Sequence, residues 1–162
     1  MPRIGLISDT HGLLRPEATA FLRGCDAIVH GGDIGHAQIL QALATLAPVT
    51  AVRGNNDTGA WADHVRETER VKFGGLWLYA IHDLAQLDID PVAAGVRVVV
   101  SGHSHKPLVE ARDGVLYINP GSAGPRRFTL PITAGELIVD GCSVSARVVD
   151  LLSASYATIA AT

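Results

Sequence analysis

Residues 3–12 read Arg3-Ile4-Gly5-Leu6-Ile7-Ser8-Asp9-Thr10-His11-Gly12, a short apolar run that breaks off in a carboxylate and an imidazole. Such a run predicts a buried strand, and polar groups directly after it fall where an open α/β sheet presents its binding crevice. The arrangement recurs along the chain. Residues 26–30 lead into Gly31-Gly32-Asp33, residues 49–53 into Gly54-Asn55-Asn56-Asp57, residues 76–81 into His82, and the valine-rich residues 96–100 into Gly102-His103-Ser104-His105. Between the first three strands lie two helical patterns. Residues 16–24 open with Pro16 and close with Gly24, and residues 36–46 are amphipathic, with apolar side chains at 39, 40, 43, 46 and 47. Strand, helix, strand, helix, strand predicts βαβ units and a parallel sheet.

Beyond residue 57 the pattern turns to hairpins. Residues 65–73 and 76–81 flank Gly74-Gly75, residues 106–111 and 115–118 flank Asp113-Gly114, and residues 135–139 and 143–150 flank Asp140-Gly141. A helix is expected within residues 84–94, limited by Pro91. Antiparallel hairpins beside parallel strands predict two mixed β-sheets packed face to face with helices outside, a four-layer α/β/β/α sandwich. Residues 1–162 are expected to form one domain, and the small, weakly patterned tail 153–162 to be loosely held or used in a subunit contact, the only hint of a homo-oligomer.

Composition narrows the function classes. The chain of 162 residues is 48% apolar and 18% charged, with a formal charge of −3, so it carries enough apolar material for a core and lacks the basic field of a general nucleic-acid binder. Two distant cysteines, Cys25 and Cys142, exclude a disulfide framework, a cysteine zinc site and a C-x-x-C redox pair. Residues 3–8 enter a strand with no signal-like core before them, and no apolar stretch reaches the roughly 18 residues of a membrane span, so the expected address is the cytoplasm.

Seven candidate groups gather at the strand ends: Asp9, His11, Asp33, Asn55, His82, His103 and His105. In an extended segment residues i and i+2 point the same way, so Asp9 and His11 can grip one ion. Burying these polar groups together costs several kcal/mol each, by order of magnitude, unless cations compensate them. Carboxylate, amide and imidazole without thiolate suit manganese, iron, cobalt, nickel or zinc rather than calcium. Seven donors exceed one tetrahedral ion and suffice for two ions sharing a carboxylate. The remaining histidines read otherwise: His30 is expected to orient Asp33 or pack near it, and His36 and His64 to be solvated. Lys106 after Gly102-His103-Ser104-His105 excludes a serine-hydrolase elbow, and no Gly pair carries the Lys-Ser/Thr ending of a P-loop.

Asp9-x-His11, Gly32-Asp33, Gly54-Asn55-x-Asp57, His82 and Gly102-His103-x-His105, followed by Asn119-Pro120-Gly121-Ser122 and Pro125-Arg126, resemble in order and spacing the calcineurin-like metallophosphoesterases, in their small single-domain phosphodiesterase branch. The resemblance implies that Asp9, His11, Asp33 and His105 hold one metal and that Asp33, Asn55, His82 and His103 hold a second, with Asp33 bridging and manganese the first expectation. It implies hydrolysis of a small phosphodiester, with Asp33, Asn55 and Asn56 in the catalytic machinery and Asn56 and Arg126 as substrate contacts. Two cations about 3.5–4 Å apart would yield a bridging hydroxide near neutral pH for in-line attack on phosphorus. The chain departs from many relatives at Asn56, where they carry His; an amide is no general acid, so substrates with good leaving groups are expected to be favoured. It departs again at Asp83, where they carry Gly; this residue is expected to cap a turn or to orient a ligand. Two other readings stand beside the diesterase. One is a phosphomonoesterase on the same site. The other is a protein-binding scaffold, since a small eukaryotic retromer subunit is similar in fold while lacking some ligands. Specificity would come from residues 58–67, 84–90 and 124–130, none of which spells out a base, sugar or lipid.

Overall fold

The computed structural model describes residues 1–162. Six strands form one sheet in the order β11-β10-β9-β1-β2-β3 and five form a second in the order β4-β5-β6-β8-β7. In chain order the elements are β1 (Arg3–Ile7), α1 (Pro16–Leu22), β2 (Ala27–His30), α2 (Ala37–Ala44), β3 (Val49–Ala51), β4 (Thr68–Phe73), β5 (Leu76–Ile81), β6 (Val96–Val100), β7 (Leu108–Arg112), β8 (Val115–Asn119), β9 (Thr133–Asp140), β10 (Ser143–Asp150) and β11 (Thr158–Ala161). Both sheets are mixed: β1, β2 and β3 run parallel while β9 lies antiparallel to β1, and β5, β6 and β8 run parallel between antiparallel β4 and β7.

Strand alternation builds three apolar layers. Ile4, Leu6, Val29, Leu78, Val98 and Leu137 belong to the cluster between the sheets. Ile7 and Ile28 point the other way and meet Phe21, Leu22, Ile39 and Leu43 of the two helices. Gly5 allows that contact, because a Cβ there would stand 2.4 Å from Leu22 Cδ2. On the outer face of the second sheet, Tyr79, Ile81 and Val99 are covered by Leu84, Leu87 and Ile89.

That last covering differs from expectation. No α-helix forms within residues 84–94, only a 3₁₀ turn at Leu84–Gln86. Carboxylates compete with the helix for its backbone donors: Asp83 Oδ1 accepts from the Ala85 N–H at 3.0 Å, and Asp90 Oδ1 from the Val92 N–H at 3.1 Å. In the tail, for which the sequence left loose holding and a subunit contact both open, residues 158–161 form β11 on the edge of the six-stranded sheet, with Arg147 opposite Ala161 and Val148 opposite Ala160. A free strand edge takes backbone partners whatever their side-chain pattern, which is why weak patterning misleads there. No helix is long and apolar enough to cross a membrane.

Candidate metal centre

The C-terminal ends of β1, β2, β3, β5 and β6 lie at one end of the sandwich, and the candidate residues follow them. Contrary to the expectation for Asp9-x-His11, these residues are not extended. Asp9 (φ 55°), His11 (φ 47°), Asp33 (φ 55°), His103 (φ 72°) and His105 (φ 62°) all occupy the left-handed region. Asp and His enter it more readily than most side chains, yet each such residue costs of order 1–3 kcal/mol and persists only when its surroundings impose it. The strand must turn sharply to bring its first polar groups over the sheet end, and an extended continuation would carry His11 past the crevice.

Hydrogen bonds impose those turns. The N–H groups of Asp9, His11 and Gly12 donate to the carbonyls of Gly32, Asp33 and Ile34 at 2.9, 2.9 and 2.8 Å, lacing the first loop to the second. Asp57, 4% exposed, ties the second to the third: its carboxylate accepts from the N–H groups of Ile34 at 2.9 Å, Gly35 at 3.0 Å and Gly54 at 2.8 Å. The Asn119 amide donates to the Gly102 carbonyl at 2.9 Å and to Ser104 Oγ at 3.1 Å, holding the histidine loop. The motif Gly54-Asn55-x-Asp57 by itself gives Asp57 no role. Its signal was an Asp three residues after a Gly, a spacing that can close a side-chain turn.

Within this frame the donors converge in two groups. Asp9 Oδ1 lies 3.9 Å from His11 Nε2 and 3.4 Å from His105 Nε2, while Asp33 Oδ2 lies 3.8 Å from His11 Nε2. On the other side Asp33 Oδ2 stands 3.3 Å from His82 Nε2, and Asn55 Oδ1 stands 3.1 Å from His82 Nε2 and 3.2 Å from His103 Nδ1. Asp9 Oδ1 and His105 Nδ1 are buried without any hydrogen-bond partner, although Asp9 Oδ2 accepts from Ser8 Oγ at 2.7 Å. His82 Nδ1 sits 2.7 Å from the Gly31 carbonyl, which can only accept. That contact puts the ring proton on Nδ1 and aims the Nε2 lone pair at Asp33, the usual arrangement of a metal-ligating imidazole. His11 Nε2 and His105 Nε2 face each other at 3.4 Å. Lone pairs and carboxylate oxygens cannot satisfy one another; they need protons or cations between them. Bonds of 2.0–2.2 Å to one ion would set neighbouring donors about 3.0–3.5 Å apart, close to these separations. Asp9, His11 and His105 could hold one cation, and Asp9, Asp33 and His82 also lie within reach of a common ion.

Electrostatics follow from this crowding. Burial by itself would raise the Asp33 carboxyl, but when a proton rather than a cation sits on His82 Nε2, the hydrogen bond from that imidazolium, the Asn56 N–H and the charges of His82 and His11 hold it far below the usual carboxylate range. Burial lowers His82, and its bonds to Asp33 and the Gly31 carbonyl outweigh that and raise it. His30 is wholly buried, and that burial brings its pKa down to about 4. Its Nδ1 accepts from the Gly32 N–H at 3.0 Å, so Nε2 donates to Thr10 Oγ1 at 3.0 Å, which donates in turn to the Ile34 carbonyl at 2.8 Å. His30 thus braces the backbone next to Asp33.

The remaining candidates divide. Asn56 is at the site, but its amide Nδ2 donates to Asp33 Oδ2 at 3.1 Å and its N–H to Asp33 Oδ1 at 2.9 Å, so both donors serve the carboxylate. Asp83 does two things: Oδ1 caps the 3₁₀ turn and Oδ2 lies 3.9 Å from His103 Nε2. Arg126 is not brought to the donors. It is exposed and donates to the Leu130 carbonyl at 3.0 Å. A cleft of about 500 Å³ opens beside Asn55, His82 and His103, and Arg53, which carried no sequence signal of its own, lines it.

Residues 2–141 match the calcineurin-like phosphoesterase superfamily domain. A probable metallophosphoesterase of Methanothermobacter thermautotrophicus is 35% identical over 158 residues, covering 90% of this chain and 91% of that protein. A phosphodiesterase of Methanocaldococcus jannaschii is 28% identical over 137 residues, covering 74% of this chain and 82% of its own length. Among solved structures, Vps29 of Entamoeba histolytica in complex with Zn²⁺ superimposes with a TM-score of 0.79 at 22% identity, over 99% of this chain and 98% of the other.

Proposed function

The chain belongs to the calcineurin-like phosphoesterase superfamily, and from that premise we propose that it is a binuclear, metal-dependent phosphodiesterase, with residues 1–162 acting as one domain. Asp9, His11, Asp33 and His105 hold one divalent cation, and Asp33, Asn55, His82 and His103 the other, with Asp33 shared. The observation that carries this reading is Asp9 Oδ1, buried without a hydrogen-bond partner and 3.4–4.0 Å from the Nε2 atoms of His105, His11 and His82. When bound, the cations lower the pKa of a water to near neutrality and offset charge developing on the phosphoryl oxygens, and manganese, iron, cobalt, nickel and zinc all suit the donor set.

The protein's own groups position. Gly31 fixes the His82 tautomer, Ser8 and the His103 N–H hold Asp9 Oδ2, and Asn56 holds both oxygens of Asp33. None of these is an acid able to protonate a poor leaving group near pH 7, which favours diesters with good leaving groups. Arg126, exposed and bonded to the Leu130 carbonyl, would contact a substrate only by leaving that carbonyl, although its loop is anchored at Gly124, where a Cβ would come within 2.4 and 2.5 Å of the Asp9 and Thr10 carbonyls.

The test is the initial rate of bis-p-nitrophenyl phosphate hydrolysis by metal-stripped protein, with and without Mn²⁺, alongside Asp33→Asn. Turnover should appear with metal, fall at least about 100-fold in the variant, and exceed that on p-nitrophenyl phosphate. Equal rates on both esters would favour a monoesterase. Absence of turnover with Mn²⁺, Ni²⁺, Co²⁺ and Zn²⁺ would favour a scaffold of the same fold, the reading that the likeness to Vps29 keeps in view.

A further inference from the structure

The candidate centre opens into one cleft, and a second cavity adjoins that cleft across His103. The cleft of about 500 Å³ has a neighbour of about 440 Å³, and Asp83 and His103 line both, forming a shared wall between them. Beyond that wall their linings diverge. Arg53, Glu67, Thr68, Gln86 and Asp88 line the first. Leu84, Pro107 and Leu108 line the second on one side, beside the polar Ser104, Lys106 and Asn119, and Leu108, at the start of edge strand β7, is 36% exposed. Arg53 spends its charge on Glu67, with Nη2 3.2 Å from the carboxylate, so the part of the first cleft away from Asn55, His82 and His103 is left with Asp88 and disfavours a second anionic group beyond the phosphate.

A phosphodiester carries two organic arms diverging from one phosphorus; a monoester carries one. We propose, resting on the diesterase reading above, that the substrate is an unsymmetrical phosphodiester, its polar, uncharged or cationic arm in the Arg53–Asp88 cleft and its apolar arm in the Leu84–Leu108 cleft. His103, standing between the two, holds the phosphorus end of both arms at the donors. Specificity then lies in residues no part of which touches the reacting phosphate. Leu108 supplies apolar contact, and Asp88 supplies the preference against a second negative charge.

Competition tests this without depending on which arm leaves. Methyl p-nitrophenyl phosphate serves as reporter on Mn²⁺-loaded protein, with three competing diesters: dimethyl, dihexyl and hexyl 2-aminoethyl phosphate. A fully buried methylene is worth roughly a four-fold change in affinity, so a partly open cleft should give the hexyl 2-aminoethyl ester at least about a ten-fold lower inhibition constant than dimethyl phosphate. It should also outcompete dihexyl phosphate, which places an apolar arm in the polar cleft. Leu108→Asp, a change at a partly exposed edge position, should raise the KM of the reporter, whose aryl arm takes the same cleft, while retaining its kcat, and remove most of that gain. Equal inhibition by the three esters, tighter binding of dihexyl phosphate, or an unchanged preference in Leu108→Asp would overturn the inference while the diesterase reading stands. No metal-dependent turnover of the reporter would remove both.

Discussion

At the end of the sandwich away from the candidate centre, hairpins reverse the chain at Gly74-Gly75, Asp113-Gly114 and Asp140-Gly141; at the near end, loops after β1, β2 and β6 do so with Asp9, His11, Asp33, His103 and His105. Both ends use left-handed backbone. At the far end it falls on Gly74 (φ 56°), Asp113 (φ 52°), Gly114 (φ 78°) and Gly141 (φ 62°); a Cβ at Gly114 or Gly141 would meet nothing within 4 Å, and one at Gly74 would stand 3.2 Å from the Val139 side chain. At the near end it falls on ligand-type side chains in a packed setting, where a Cβ at Gly54 would come 2.1 Å from Asp33 Oδ1 and one at Gly102 2.2 Å from Ser8 Oγ. A turn that only reverses the chain tolerates solvent and looseness. A turn that aims a carboxylate needs its neighbours to over-determine it, and here backbone hydrogen bonds, Asp57 and closely approaching glycines do so.

One exchange made at both ends should break this contrast if it is unsound. Gly54→Ala drives a methyl into the Asp33 backbone and carboxylate and should cost at least about 3 kcal/mol, with loss of Mn²⁺ binding, as read from urea midpoints and calorimetry. A wild-type midpoint would mean the near-end loops yield freely. Next in size is a pH effect confined to the near end. His30 has its pKa brought down to about 4 in the folded protein against about 6.5 when unfolded. The unfolded chain therefore binds the extra proton between those values, so stability is full above pH 6.5 and is lost as pH falls toward 4, by roughly 3 kcal/mol at 1.4 kcal/mol per unit. His30→Gln lowers stability at pH 7 by breaking the Gly32 and Thr10 contacts, but it should flatten the slope of the metal-free protein between pH 6.5 and 4; an unaltered slope would place the titration elsewhere. The smallest effect belongs to the far end. Gly114→Ala meets no neighbour and pays only for a side chain at positive φ, about 1 kcal/mol, with phosphoesterase activity unchanged.

Most of the architecture was legible because it rests on periodicity. Apolar runs at residues 3–8, 26–30, 76–81 and 96–100 became β1, β2, β5 and β6, and the three Gly-Gly and Asp-Gly pairs became the hairpin turns. Legibility failed where side chains or edges competed with local pattern: Asp83 and Asp90 drew the backbone of residues 84–94 into turns, and the edge of β10 recruited weakly patterned residues that carry no strand signal of their own.

By itself the sequence determined which side chains follow which strands, and so which residue types meet at one end of a mixed sandwich; alternation and turn chemistry are local and survive without knowledge of the fold. Only the tertiary structure decided how those residues are aimed. The left-handed turns at five candidate ligands, the shared grip of Asp57 on two loops, and the engagement of Asn56 with Asp33 rather than with open cleft depend on contacts between segments 22 to 113 residues apart. Such contacts leave no periodic trace, because each is a single long-range pairing between otherwise unremarkable positions.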